Sequence, residues 1–416
     1  NIVKYNKTLI NGSLFSIFSF FNQGVAFVLL IILANYITPS AYGNLSLFNT
    51  VQQFLSYFVC LSTTGYLGVS FFRKEKDNFR KDVSSIFVIC IVCTSFFCII
   101  LLLFGAQLSS ILSLSKMIIW IAVIVSFFQI FSSMFLDYLR VREKVIKYGI
   151  FSCSFAILNL ILSLYLVINE NLNWQGRVYA QFICSLIFGA LAITHFLKQN
   201  LFTFKINWEG AKVILFWGIP LIPHLASVWI KQGCDRYIIN SFHSVEDVGL
   251  FSFALNLTSI IIMIGSAFNA SNSVSIYQTL ASEDTIEQKR NRLKKQMEII
   301  FKIYILATLV IVLGASIGIP WLLPNYRNAL PYFWILALQG FGQCVYFLFC
   351  NYLFYYHKNR SIMFITFGTS LCHLLLSLVF TRYSLYLTCV IYVIVQGAID
   401  FLIIWNSKKI LTNKYN

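Results

Sequence analysis

The sequence predicts an all-α polytopic membrane protein, with twelve transmembrane helices in two six-helix lobes related by a parallel pseudo-two-fold repeat. Three observations predict it. Of the 416 residues, 58% are apolar and only 11% are charged, against roughly 25% charged in an ordinary soluble domain. A soluble fold of this size has nowhere to hide that much apolar surface. Composition therefore excludes a soluble enzyme, a disordered chain and a nucleic-acid binder. The apolar residues also come in continuous runs of about 20, long enough to cross a bilayer as helices, where the strands of an outer-membrane barrel would alternate. Finally, the 31 Lys+Arg gather between alternate runs, as basic cytoplasmic loops do.

The first run, 12–36, follows Lys4 and Lys7. It is too long for a signal-peptide core and lacks a small-x-small cleavage site, so it reads as a span. The second, 43–70, ends at the basic cluster RKEK at 73–76. The third and fourth, 84–106 and 117–139, are parted by a short link, and the fourth ends on Arg140, Arg142, Lys144 and Lys147. The fifth and sixth, 148–168 and 175–197, meet over NENLN at 169–173, and Lys198, Lys205 and Lys212 follow. The seventh and eighth, 213–241 and 248–272, are joined by FHSVED at 242–247. The longest loop, about 273–298, carries KRNRLKKQ at 289–296 and reads as a connector on an anionic inner surface. The ninth and tenth, 299–319 and 331–356, flank a proline-bounded turn, and the eleventh and twelfth are 361–381 and 385–406.

With the N-terminus inside, every basic cluster falls on the inner side. Outside remain Lys116, Arg177, Arg327 and Arg382, while Lys231 and Arg236 stay within a span. Both termini are thus expected to be cytoplasmic, and the net charge of +16 needs no nucleic acid to account for it. The 11 Cys are scattered through apolar runs. Cys90, Cys93 and Cys98 share one span without His or acidic partners. They are expected to be buried free thiols, with no metal site and no cofactor.

An internal repeat organises the runs. YITPSAYGNLS at 36–46 matches FHSVEDVGLFS at 242–252, with Gly43 on Gly249 and Ser46 on Ser252, 206 residues apart. Twelve spans then divide as six plus six, into an N-terminal lobe at 1–200 and a C-terminal lobe at 201–416. An even number per half makes the repeat parallel.

These hairpin texts carry a resemblance. LANYITPSAYGNLSLFNTV at 33–51, DRYIINSFHSVEDVGLFSFALNL at 235–257 and the connector DYLRVREKVIKYGIFSCSFAILNLILSLYLVI at 137–168 resemble the polysaccharide-transporter branch of the MOP (MATE-like) flippase superfamily, the Wzx-type O-antigen flippases. The resemblance implies a V-shaped bundle with a central cationic cavity in the bacterial inner membrane. It also implies flipping of an undecaprenyl-diphosphate-linked oligosaccharide from the cytoplasmic to the periplasmic leaflet by alternating access. The expected partners are that glycan, the lipid bilayer and other polysaccharide-assembly membrane proteins, with no nucleic acid and with the monomer as the working unit.

Polar groups inside spans are functional candidates by default, because a charge at a helix centre costs about 2.5–3.5 kcal/mol on insertion scales. The seventh span holds His224, Ser227, Lys231, Cys234 and Asp235. At about 100° per residue, His224, Lys231 and Asp235 form one stripe, with Arg236 at its edge. Pro220 and Pro223 precede the stripe and permit a kink. On a water-filled cavity, Lys231 and Arg236 would attract a diphosphate. The same spacing also lets Lys231 and Asp235 neutralise each other as a structural i,i+4 pair. The equivalent positions of the first span are Val25, Leu29 and Leu30, where Asn22 and Gln23 are the strongly polar residues. These two are candidates for sugar hydroxyls or for a neighbouring helix. Asp400 and His373, in the last two spans, are candidates for ion coupling.

Two rival functions compete with the flippase. A cation-coupled drug exporter of the same superfamily needs intramembrane acids, and the first span has none; a lipid II flippase resembles a fourteen-span group. A membrane polysaccharide polymerase or acyltransferase needs an outer catalytic constellation, but His243 has only Glu246 near it, and no HExxH, P-loop or GxGxxG occurs. The protein is therefore expected not to be an enzyme.

Overall fold

The computed structural model describes the backbone of residues 2–202 and 208–415. It describes the side chains of 14–202 and 208–409, apart from positions 224, 271 and 359. Among the described residues every regular element is helical: α1 (Ile2–Tyr36), α2 (Pro39–Cys60), α3 (Tyr66–Arg73), α4 (Lys76–Leu112), α5 (Lys116–Val141), α6 (Val145–Leu164), α7 (Asn173–Lys198), α8 (Trp208–Gly218), α9 (Ile222–Trp229), α10 (Asp235–Phe242), α11 (Val245–Ala281), α12 (Ile286–Leu322), α13 (Leu330–Tyr355), α14 (Asn359–Phe380) and α15 (Leu385–Tyr415). Among the described residues eleven stretches are long and apolar enough to cross a membrane, and a twelfth joins α2 to α3 across a 57° bend. The bend falls at Leu61 and Ser62, both in the left-handed region with φ of 45° and 59°. The second span is thus broken where the sequence reads one run.

The repeat is visible in the helix ends. α1 stops at Tyr36 and α10 at Phe242. α2 is capped by Thr38, whose hydroxyl accepts from the Ala41 N–H, and α11 by Ser244, which accepts from the Asp247 N–H. Each pair of equivalent positions is 206 residues apart, and both caps are extended, with ψ of 160° and 161°. A capping oxygen satisfies a helix-start N–H that has no partner within the helix. The same chemistry therefore sets both hairpins in the same register.

The predicted long inner loop is mostly helix. α11 and α12 have 37 residues each and are parted by 282–285. At 1.5 Å per residue each is about 55 Å long, against about 30 Å of hydrocarbon. A capping box at Thr285 and Gln288 starts α12, and Arg292 reaches Asp284 at 2.6 Å. Leu293 is buried against Ile276, Leu280 and Tyr352. The basic stretch 289–296 is therefore one turn after another of a helix anchored on its neighbours.

Two compact units are present, Asn1–Ala226 and Ser227–Asn416. In the first, α5 packs on α2, α4 and α7 around fully buried Phe131 and Phe196, with Phe87 against both rings at 4.5 and 5.6 Å. Where α3 meets α4, Lys74 pairs with buried Asp82 at 2.7 Å, and Ser70 donates to the same oxygen at 2.5 Å. Burial alone would push the Lys74 ammonium down; the hydrogen bond and charge of Asp82 outweigh it and hold the group above its ordinary range. In the second unit, α13 packs on α11 and α15 around Phe251, Phe253, Phe333 and Tyr326.

Candidate functional site

The second unit gathers the charged residues of the broken seventh stretch. Proline supplies no N–H and clashes with the preceding turn. Accordingly Pro220 lies in a single 3₁₀ turn, Ile219–Leu221, between α8 and α9. A π turn then spans Ile230–Cys234, and its extra residue per turn breaks the 100° register on which the predicted stripe rests. Among the described residues no ion pair joins Lys231 to Asp235. Asp235 instead lies 2.6 Å from Nε2 of His373 on α14, each side chain 2% exposed. The Tyr392 hydroxyl of α15 donates to the Lys231 carbonyl at 2.5 Å, and its ring stands edge-on to His373 at 4.6 Å. A backbone carbonyl in a π turn is a natural acceptor for such an outside donor, since the regular ladder is interrupted there.

Asp400 of α15 accepts from Gln396 through Oδ1 at 2.9 Å. Of the two ion-coupling candidates, His373 thus faces Asp235 and Asp400 bonds Gln396. Arg236 donates from Nε to the Ser252 hydroxyl at 3.0 Å and from Nη1 to the Gln232 carbonyl. His224 lies outside the residues whose side chains are described.

The first unit contains a cavity of about 250 Å³. α1 contributes Asn22, Val25, Ala26 and Leu29; α5 contributes Gln129, Ser132, Ser133 and Leu136; α6 contributes Phe151, Ser152, Phe155, Ala156 and Asn159; and α7 contributes Arg177. No acid is among these lining residues. Asn22 Oδ1 is buried with no hydrogen-bond partner. Its neighbour Gln23 is exposed and donates to Ser19 at 3.3 Å, away from the cavity wall. Gln129 accepts from Gln52 at 2.5 Å.

Arg177 is the residue that charge counting misplaced. Read as an outer-loop cation, it sits one turn inside α7 and donates from Nη1 to Asn159 Oδ1 at 2.5 Å and to Ser163 at 3.1 Å. Gly176 allows this placement. A Cβ there would lie 2.9 Å from the carbonyl carbon of Leu166, so only glycine lets the first turn of α7 press against the chain leaving α6. The sequence did hold a signal, because the apolar run 175–197 already encloses position 177.

Amides, hydroxyls and one guanidinium can bind a polar or anionic molecule by hydrogen bonds, and the lining has no carboxylate to balance a cation. No cluster of metal-ligating residues occurs among the described residues.

The comparisons with known proteins give this fold a family. Residues 9–276 match the model of a family described as polysaccharide biosynthesis protein. A Lsg locus protein of Haemophilus influenzae is 23% identical over 343 residues, covering 81% of this chain and 82% of its own. Among solved structures, a MATE-family multidrug resistance transporter of the MOP superfamily, inward-facing, superposes with a TM-score of 0.75 at 14% identity, over 94% of this chain and 95% of that one. The lipid II flippase MurJ, inward closed, superposes with a TM-score of 0.74 at 13% identity, over 95% and 87%. At such identities these two show the fold alone. The family model covers well over half of the sequence, and the chain belongs to the polysaccharide biosynthesis protein family.

Proposed function

We propose that the protein flips an undecaprenyl-diphosphate-linked oligosaccharide, an O-antigen-like repeat unit, from the cytoplasmic to the periplasmic leaflet of a bacterial inner membrane. It works by alternating access of two six-helix lobes, 1–200 and 201–416, without a covalent step and with both termini cytoplasmic. The observation that carries this reading is the cavity of the first unit. Its wall offers amides, hydroxyls and the Arg177 guanidinium without any acid, which suits a hydroxylated, anionic cargo and not the cation of a drug exporter. Lys231 and Arg236, on the seventh span, are the candidates to meet the diphosphate, Arg236 as a fork and Lys231 as a point charge. A diphosphate moving outward also runs down an inside-negative potential, worth about 2.3 kcal/mol per charge per 100 mV.

Deleting the gene in its host and identifying what builds up tests the reading. Lipid-linked oligosaccharide should accumulate on the inner leaflet. Arg236→Ala should reproduce the accumulation at near-normal protein level, and Arg236→Lys should relieve it in part. A deletion strain that accumulates no lipid-linked sugar refutes the proposal.

A further inference from the structure

The cavity of the first unit has the composition of a pocket for one sugar ring, and its charge is specific. We propose that it selects a glycan bearing a carboxylate, with Arg177 as the partner of that group; the inference rests on the flippase reading for its cargo class. Three features carry it. The first is charge balance: Arg177 is the single cation of the lining and no acid faces it. One guanidinium matches one carboxylate, whereas a diphosphate brings at least two charges and calls for more than one cation.

The second is the geometry of the fork. Nη1 donates to Asn159 and Ser163, which leaves the Nε–Nη2 edge, the edge that takes a carboxylate through two parallel hydrogen bonds. The third is Asn22, whose Oδ1 is buried without a donor. Such an acceptor costs stability while it stays unmet, and a ring hydroxyl supplies the missing donor. Phe151 and Phe155 complete the wall. Phe188 packs edge-on to both, at 5.0 and 5.3 Å, which fixes two apolar faces for the C–H side of a pyranose.

Saturation-transfer NMR on the purified full-length protein tests this, because it detects weak binding of free sugars. The probes are glucuronate, galacturonate and N-acetylneuraminate, with glucose and galactose as neutral counterparts and inorganic pyrophosphate as competitor. At least one acidic sugar should bind at least about tenfold more tightly than the neutral sugars. Arg177→Gln should abolish that preference, Arg177→Lys should keep part of it, and Asn22→Leu should weaken neutral and acidic sugars alike. Each variant is compared only if it elutes as a monodisperse peak, and the Lys variant preserves the test should the Gln variant misfold.

Failure of every acidic sugar to bind, equal binding of neutral and acidic sugars, or displacement by pyrophosphate that depends on Arg177 overturns the inference. The flippase reading fails separately. If the deletion strain accumulates a lipid-linked glycan without a carboxylate, that reading stands and the pocket assignment falls. If acidic sugars bind through Arg177 while nothing accumulates, the pocket stands and the flippase reading falls.

Discussion

Replacing His373 by leucine removes the partner 2.6 Å from the Asp235 carboxylate, at a place where each side chain is 2% exposed. Asp235 Oδ1 has no hydrogen-bond partner, so Oδ2 is where the protein holds this group. Removing one member of a buried pair costs about 3–5 kcal/mol, because the other is left in low dielectric without compensation, whereas replacing both members by apolar residues of similar size is often neutral or stabilising. A loss of that size shifts the folded-to-unfolded ratio by more than a hundredfold. Three variants should therefore rank clearly in tryptophan-fluorescence melting of the detergent-purified protein at one scan rate. His373→Leu should melt lowest, and Asp235→Leu/His373→Leu should recover most of the loss. Lys231→Met should lose far less, since among the described residues Lys231 makes no ion pair and Asp400 keeps its bond from Gln396. If Lys231→Met is as costly as His373→Leu, or if the double variant melts no higher than His373→Leu, the pairing argument is wrong.

The two hairpin caps and one tight approach give further tests in the same melting assay. Thr38→Ala and Ser244→Ala each remove a hydroxyl that accepts from a helix-start N–H, at 3.3 and 3.1 Å, and each should cost about 1 kcal/mol. The loss should be larger at Ser244, where Asp247 returns a bond to the cap backbone; the opposite order counts against the capping-box account. Gly176→Ala places a Cβ 2.9 Å from the backbone of Leu166 and should cost about 1–3 kcal/mol, as overpacking does. Gly314→Ala meets nothing within 4 Å, so it should be neutral or raise stability by up to about 1 kcal/mol. A Gly176→Ala protein that melts like the wild type would remove the reason given for where Arg177 sits.

Span positions and the hairpin repeat were legible in the sequence because they rest on long-range averages: twenty apolar residues in a row, or a capping hydroxyl before a helix. Local departures from the average were not legible. Two left-handed residues at Leu61 and Ser62 bend the second span, and neither is a glycine, the residue that takes that conformation most readily. One extra residue in the turn Ile230–Cys234 turns Asp235 toward His373, and a fixed angle per residue misses such a shift. Arg177 was misread for a different reason. Counting charges assigns a cation near a span end to the loop, while its burial depends on the polar groups a neighbouring helix presents, here Asn159 and Ser163. Asn22 was legible as a polar exception, but its separation from Gln23 needed the helix rotation.

The matched caps at Thr38 and Ser244 bear on how this chain came to differ from itself. A duplicated hairpin keeps its frame so long as a hydroxyl starts the second helix, and that leaves the interior face of each copy free to diverge. Val25 and Leu29 line the hollow of the first unit, while their counterparts 206 positions on are Lys231 and Asp235. The first copy presents apolar residues to an open space at these positions; the second carries charge at the matched positions, with Asp235 tied to His373 behind it. The symmetry is kept in the helix caps and absent from the side chains at these positions. Grafting Lys231 and Asp235 onto positions 25 and 29 would therefore put charge into the hollow without the His373 that faces Asp235 in the second copy.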